Sequence, residues 1–92
     1  MSKVRARLII TGIVQGVGFR YFVCLNARKL GINGYVGNTP AGGVETVFEG
    51  EKAGVQSLVN LCRRGPRAAC VEGLDVVYEE FKAEFTDFRI TG

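Results

Sequence analysis

The chain has 92 residues, of which 47% are hydrophobic and 23% charged. Its net charge is +3, and its basic residues form no long run. This balance is typical of one globular domain, here expected over residues 1–92, and it does not indicate a nucleic-acid-binding arm. The absence of histidine excludes histidine-activated nucleophiles, phosphohistidine intermediates and histidine-ligated metals. No apolar run could cross a membrane and no signal-peptide core follows Met1, so we expect a cytoplasmic protein.

The first predicted elements are a strand, a glycine-rich loop and a helix. Residues 4–11 are rich in β-branched side chains and begin with alternating apolar and basic residues, which is typical of a strand. Residues 12–18 form the glycine-rich loop. Apolar residues then recur at helical spacing and predict a helix that ends at Gly31: Phe19, Val23, Ala27 and Leu30. Tyr21 and Phe22, at the start of this helix, are interpreted as packing residues.

A predicted hairpin follows the first helix. Residues 34–38 form its first strand and residues 44–49 its second, in which apolar and acidic positions alternate. Between them, residues 39–43 contain proline and two glycines, the residue types that β-turns prefer.

The second half ends with a helix and two strands. A second helical stripe consists of Val55, Leu58, Val59 and Cys62, and Gly65-Pro66 ends this helix. Residues 69–78 predict a fourth strand and residues 88–90 a short fifth one. The acidic, phenylalanine-containing stretch 79–87 is interpreted as a loop or a strand edge. Two β-α-β halves joined by a hairpin predict an α+β sandwich, with two helices on one sheet face and solvent or a partner on the other.

The three cysteines show no metal-binding spacing, and their odd number excludes a fully paired set of disulfides in a monomer. We interpret them as reduced thiols. Cys62 and Cys70 are expected to be buried, whereas Cys24 lies beside the apolar stripe of the first helix and is expected to be partly exposed. Whether any two of them pair is left open.

The loop before the first helix has the features of a phosphate site. Gly16 and Gly18 can adopt positive φ, so successive backbone N–H groups can converge near the helix N-terminus. Arg20 adds a planar guanidinium that fits two phosphate oxygens. The loop therefore predicts a site for one phosphoryl group, formed by the backbone amides of Gln15, Gly16, Val17, Gly18, Phe19 and Arg20 together with the Arg20 side chain.

Other phosphate-binding motifs fit this loop less well. The Lys-Ser/Thr pair of a Walker A loop is absent, and Tyr21 stands where a dinucleotide-binding loop has its third glycine. Val14 occupies the position of the nucleophilic cysteine in cysteine-dependent phosphatases, so a phosphocysteine intermediate at this loop is excluded.

Two signatures in order resemble those of the acylphosphatase family. The segment GIVQGVGFR, residues 12–20, is similar to the first signature, and GYVGN, residues 34–38, is similar to the second. The resemblance covers essentially the whole chain, including the break at Gly65-Pro66 and the last strand at residues 88–90. It implies a ferredoxin-like βαββαβ sandwich with an antiparallel sheet and a short extra C-terminal strand. It also implies hydrolysis of the carboxyl–phosphate bond of acyl phosphates.

The resemblance also implies roles for two side chains. Arg20 matches the family's phosphate-binding arginine, and Asn38 matches the asparagine that orients the attacking water. No metal or other cofactor is expected, because Arg20 supplies the charge that a magnesium ion supplies elsewhere. The expected partners are a small acyl phosphate substrate and inorganic phosphate, and no nucleic acid is expected to bind. The expected oligomeric state is a monomer. No enzyme carboxylate is assigned as general base, so the substrate's own phosphate is the hypothesised proton acceptor.

Two alternatives remain open at this point. Ferredoxin-like sandwiches also serve as RNA-recognition modules, but Phe48 is the only aromatic residue in the predicted third strand. A catalytically weak, acylphosphatase-like regulatory or binding module is the second alternative. It is suggested by Gly37, where the family often has a basic residue, because a glycine just before Asn38 would loosen the strand end.

Overall fold

A computed structural model describes residues 2–92, which form five strands and two helices in the predicted order. Neither helix is long and apolar enough to cross a bilayer. The bounds of the strands and helices, in chain order, are β1 Lys3–Ile13, α1 Phe19–Leu30, β2 Asn33–Asn38, β3 Val44–Glu51, α2 Lys52–Arg64, β4 Cys70–Glu80 and β5 Phe88–Thr91.

The five strands form one sheet in the order β4-β1-β3-β2-β5. The first four pair antiparallel, whereas β5 adds to the free edge of β2 in parallel. The predicted ferredoxin-like α+β sandwich with an extra C-terminal strand is therefore confirmed. The sequence did not indicate that β5 would lie at the edge opposite β4, beside the end of β2.

The core lies between the sheet and the two helices. Alternate residues of β1 and β3 face the helices because side chains of a strand point to opposite faces in turn. The apolar stripes of both helices pack on them. Fully buried members include Ala6, Leu8, Ile10, Val23, Ala27, Phe48, Val55 and Leu58. Leu30 completes the predicted stripe of α1 but is 36% exposed, because it lies at the end of the helix.

The cysteines differ from the prediction at two positions. Cys62 is buried as expected, and burial raises the pKa of its thiol to about 12. Cys24 is buried rather than partly exposed, because β5 lies beside α1 and the Cys24 Sγ is 3.8 Å from the Phe88 carbonyl oxygen. Cys70 is exposed rather than buried, because it begins β4 at the edge of the sheet.

The sheet face opposite the helices is partly covered by the chain itself. Residues 81–87 connect β4 at one edge of the sheet to β5 at the other. Beneath this crossover Arg5 is only 4% exposed and Glu49 only 3%. Arg5 forms ion pairs with Glu49 at 3.3 Å, Glu79 at 3.1 Å and Glu84 at 2.9 Å. The face expected to meet solvent or a partner therefore contains a buried ionic cluster.

Glu49 is the residue that attaches the crossover to the sheet. Its carboxylate accepts hydrogen bonds from the backbone N–H groups of Lys82, Glu84 and Phe85 as well as from Arg5. Burial opposes ionisation, but these four donors outweigh it and hold the pKa of the Glu49 carboxyl below its usual value. The path of the chain toward β5 thus depends on an ionised carboxylate in the middle of the sheet.

Candidate active site

A cavity of about 210 Å³ lies where the loop before α1 meets the ends of β2 and β5. It brings together Arg20 and Asn38, which are distant in sequence, with the two glycines of the loop. Its lining consists of Val14, Gly16, Gly18, Phe19, Arg20, Tyr21, Asn38 and Ile90. Gln15 and Val17, which the sequence also places in the site, do not line it. Tyr21 is 66% exposed, so its interpretation as a packing residue is wrong, whereas Phe22 packs against the core.

The loop contains two glycines in the left-handed conformation that occurs in anion-binding nests. Gly16 has φ 74° and Gly18 has φ 80°, both in the left-handed region that favours glycine. Gly18 is also the N-cap of α1, and no side chain caps the helix there. Among the residues that the structure describes, no protein acceptor pairs with the backbone N–H groups of residues 15–21. Unpaired donors at a helix N-terminus attract an anion.

Arg20 occupies an electrostatically unfavourable position. It is the second residue of α1, whose first turn contains no acidic side chain, although the positive end of the helix dipole favours acidic residues there. Its Nη1 donates a hydrogen bond to the main-chain oxygen of Gly92 at 2.8 Å. Gly92, which follows β5, therefore holds the guanidinium at the cavity, and the other N–H groups of Arg20 have no hydrogen-bond partner within residues 2–92.

Asn38 lies at the end of β2 and has an unpaired acceptor. It pairs with Val44, whose side chain is buried in the helix-side core. The side-chain oxygen Oδ1 of Asn38 is buried and has no hydrogen-bond partner within residues 2–92. Leaving a buried acceptor unpaired costs about 1–3 kcal/mol. Such a cost is expected where a group is kept for a ligand rather than for stability.

Gln15 connects the loop to the hairpin that contains Asn38. Its Nε2 donates to the carbonyl oxygens of Thr39 at 2.9 Å and Gly43 at 2.8 Å. Thr39 is a turn residue, as predicted, since its Oγ1 accepts the N–H of Gly43. The Gln15 side chain therefore fixes the end of β2 relative to the loop. No sequence signal indicated this contact, because it joins residues that only the folded sheet brings together.

Gly37 is required by the position of β5. It pairs with Thr91, and a Cβ atom at Gly37 would lie only 2.8 Å from the Thr91 carbonyl oxygen and also meet the Thr91 Oγ1. A larger residue would therefore displace β5. The glycine that was expected to loosen the strand end instead allows a fifth strand to pair beside Asn38.

Comparisons with known proteins identify close relatives over almost the full length of the chain. The Acylphosphatase family model matches residues 6–90. An acylphosphatase from Moorella thermoacetica is 51% identical over 90 residues, which cover 98% of this chain and 96% of that protein. A crystal structure of acylphosphatase from Bacillus subtilis superposes with a TM-score of 0.92 at 35% identity, covering 97% of this chain and 99% of that one. An acylphosphatase structure from Coxiella burnetii gives 0.90 at 30% identity, with 97% and 93% covered.

Proposed function

The chain belongs to the acylphosphatase family and is an enzyme that hydrolyses acyl phosphates, and we propose a mechanism for that hydrolysis from the geometry of its cavity. Water attacks the phosphorus atom in line with the bond to the bridging oxygen. That bond breaks as the new P–O bond forms, and a carboxylate leaves. The substrate's phosphoryl oxygens take the proton of the water, so the products are a carboxylate and inorganic phosphate.

Binding of the phosphoryl group is assigned to Arg20 and to the backbone amides of residues 15–20, of which Gly16, Gly18, Phe19 and Arg20 line the cavity. A guanidinium has five N–H donors, and the bond to Gly92 uses one of them. The remaining fork fits two phosphoryl oxygens, and the amides of the loop and helix N-terminus supply further donors. These groups are positioned before the substrate binds, so they can stabilise the charge that develops in the transition state without reorganisation.

Positioning of the attacking water is assigned to Asn38. The observation that carries this assignment is the buried, unpaired Oδ1 of Asn38 in the same cavity as Arg20. An amide oxygen accepts a hydrogen bond from water and thereby fixes the direction of the water's lone pairs. It is too weak a base to remove the water's proton. The lining of the cavity, within the described chain, includes no aspartate or glutamate. This supports the substrate's phosphate as the proton acceptor.

The mechanism requires no metal, and a hydrolysis assay can test this directly. Purified protein should hydrolyse acetyl phosphate equally well with and without EDTA, and inorganic phosphate should inhibit competitively. A requirement for added Mg²⁺ would contradict the proposal. Binding of phosphate without turnover would instead support the alternative of a catalytically weak binding module.

Three further properties stay predictions: a monomeric state, a cytoplasmic location and the absence of a nucleic-acid partner. Size-exclusion chromatography can check the first and cell fractionation the second.

A further inference from the structure

A groove next to the cavity is formed by α1 and β5. Its volume is about 440 Å³, which lies in the range of small-molecule sites. It shares two wall residues with the cavity, Tyr21 and Ile90. A molecule whose phosphoryl group occupies the cavity can therefore extend into the groove without leaving the protein surface.

The part of the groove nearest the cavity is apolar and exposed. Tyr21 is 66% exposed, Leu25 39% and Ile90 45%. Tyr21 and Leu25 lie four residues apart on one face of α1, about 6 Å along the helix axis, and Ile90 lies on the neighbouring strand. Three large apolar side chains left open around one groove indicate a binding surface, whereas single exposed ones need no explanation.

The far end of the groove is polar. Arg28 follows Leu25 by three residues and donates from Nη2 to the Phe88 carbonyl oxygen at 3.2 Å. Arg89 donates from Nε to both carboxylate oxygens of Asp87 at 3.1 Å. These charged groups are partnered within the protein. The apolar part of the groove therefore ends at these charged groups, and a long apolar chain could not continue past them.

We infer that this groove binds the acyl group of the substrate and selects acyl phosphates with a short apolar acyl chain over acetyl phosphate. The inference rests on the proposed function, in which the phosphoryl group occupies the adjoining cavity. An acetyl group is too small to reach Leu25, whereas the methylene groups of a chain such as hexanoyl would cover Tyr21, Leu25 and Ile90. Removing that apolar surface from water favours the longer substrate.

The test compares hexanoyl phosphate with acetyl phosphate. The leaving groups, hexanoate and acetate, have nearly equal basicity. The ratio of the two kcat/KM values therefore measures binding of the acyl chain rather than leaving-group chemistry. The wild-type ratio should be about 10 or more in favour of hexanoyl phosphate, the scale of discrimination by one or a few methylenes in an apolar site. Tyr21→Ala and Leu25→Ala should each lower this ratio about 3- to 10-fold. Leu25→Met, which keeps an apolar side chain of similar size, should have a ratio close to that of wild type.

Two controls match these variants in exposure and chemistry. Tyr78 is 50% exposed and Val77 is 54% exposed, and both lie on β4 at the opposite edge of the sheet. Tyr78→Ala and Val77→Ala should leave the ratio unchanged. A wild-type ratio near one would overturn the inference, as would a ratio that Tyr21→Ala and Leu25→Ala do not change. In both cases the proposed function would stand, because hydrolysis of either acyl phosphate shows it independently of the ratio.

Discussion

Arg20 and Asn38 both occupy positions that stability alone would not select. Arg20 places a cation at the positive end of α1, and Asn38 buries an acceptor without a partner. Each arrangement is unfavourable in the free protein and becomes favourable when a phosphoryl group and a water occupy the cavity. The two residues are therefore expected to affect turnover strongly and folding little.

Arg20 should tolerate no substitution, including lysine. An ammonium group is a point charge and cannot reproduce two parallel hydrogen bonds to phosphoryl oxygens. Arg20→Lys and Arg20→Ala should both lower kcat/KM by at least about 100-fold and weaken competitive inhibition by inorganic phosphate. Arg63→Lys, at the exposed end of α2, is the matched control and should behave as wild type. Phosphate inhibition of normal strength in Arg20→Ala would contradict the assignment.

Gln15 should act as a positioning residue through its side chain. Without its two hydrogen bonds to the turn, the end of β2 can move relative to the loop, and small displacements of reacting groups are costly. Gln15→Ala should lower kcat by about 10- to 100-fold while phosphate inhibition, which depends on the loop amides and Arg20, changes little. Gln56→Ala, exposed on α2, is the control. Equal losses in kcat and phosphate affinity would indicate instead that Gln15 supports the loop itself.

The crossover from β4 to β5 affects the active site. Residues 81–87 place β5 beside β2, and the end of β5 contributes Ile90 to the cavity and leads to the Gly92 oxygen that holds Arg20. Glu49 attaches this crossover through three backbone N–H groups. The ionic cluster on the far face of the sheet therefore supports the site on the other side.

The attachment through Glu49 predicts a specific pH dependence. The folded-state pKa of Glu49 lies below its reference value of 4.5, so its stabilisation is fully present above that pH. It is lost as the pH falls through the folded-state pKa. Glu49→Gln should lower the free energy of unfolding by about 1–3 kcal/mol at neutral pH and less in acid, because the amide loses the charge-assisted bonds. Chemical denaturation at several pH values measures this.

Glu72→Gln is the matched control for that experiment. Glu72 is an exposed residue of β4, so its neutralisation should change the unfolding free energy by no more than about 0.5 kcal/mol. If Glu49→Gln is as stable as Glu72→Gln at neutral pH, the carboxylate does not hold the crossover.

For the whole molecule, the features that the sequence predicted are those encoded by neighbouring residues. Periodicity identifies the strands and helices, and the glycines of residues 16–18 identify the loop, because these properties depend on local backbone preferences. The contact between Gln15 and the turn, the bond from Arg20 to Gly92 and the burial of Arg5 join residues 24 or more positions apart. The first follows from the pairing of β1 with β3, and the other two follow from the position of β5 and of the crossover. No local pattern specifies any of these arrangements.

Asn38→Ala is the decisive variant, because the proposed mechanism requires Asn38 to position the attacking water. In this variant kcat should fall about 10²–10³-fold, while the inhibition constant of inorganic phosphate should stay within about threefold of wild type. The melting temperature should not fall, because alanine removes a buried acceptor that has no partner. Asn60→Ala, exposed on α2, controls for loss of an asparagine. A protein that melts at a lower temperature but keeps its kcat would show that Asn38 only supports the turn, and the proposed mechanism would be wrong.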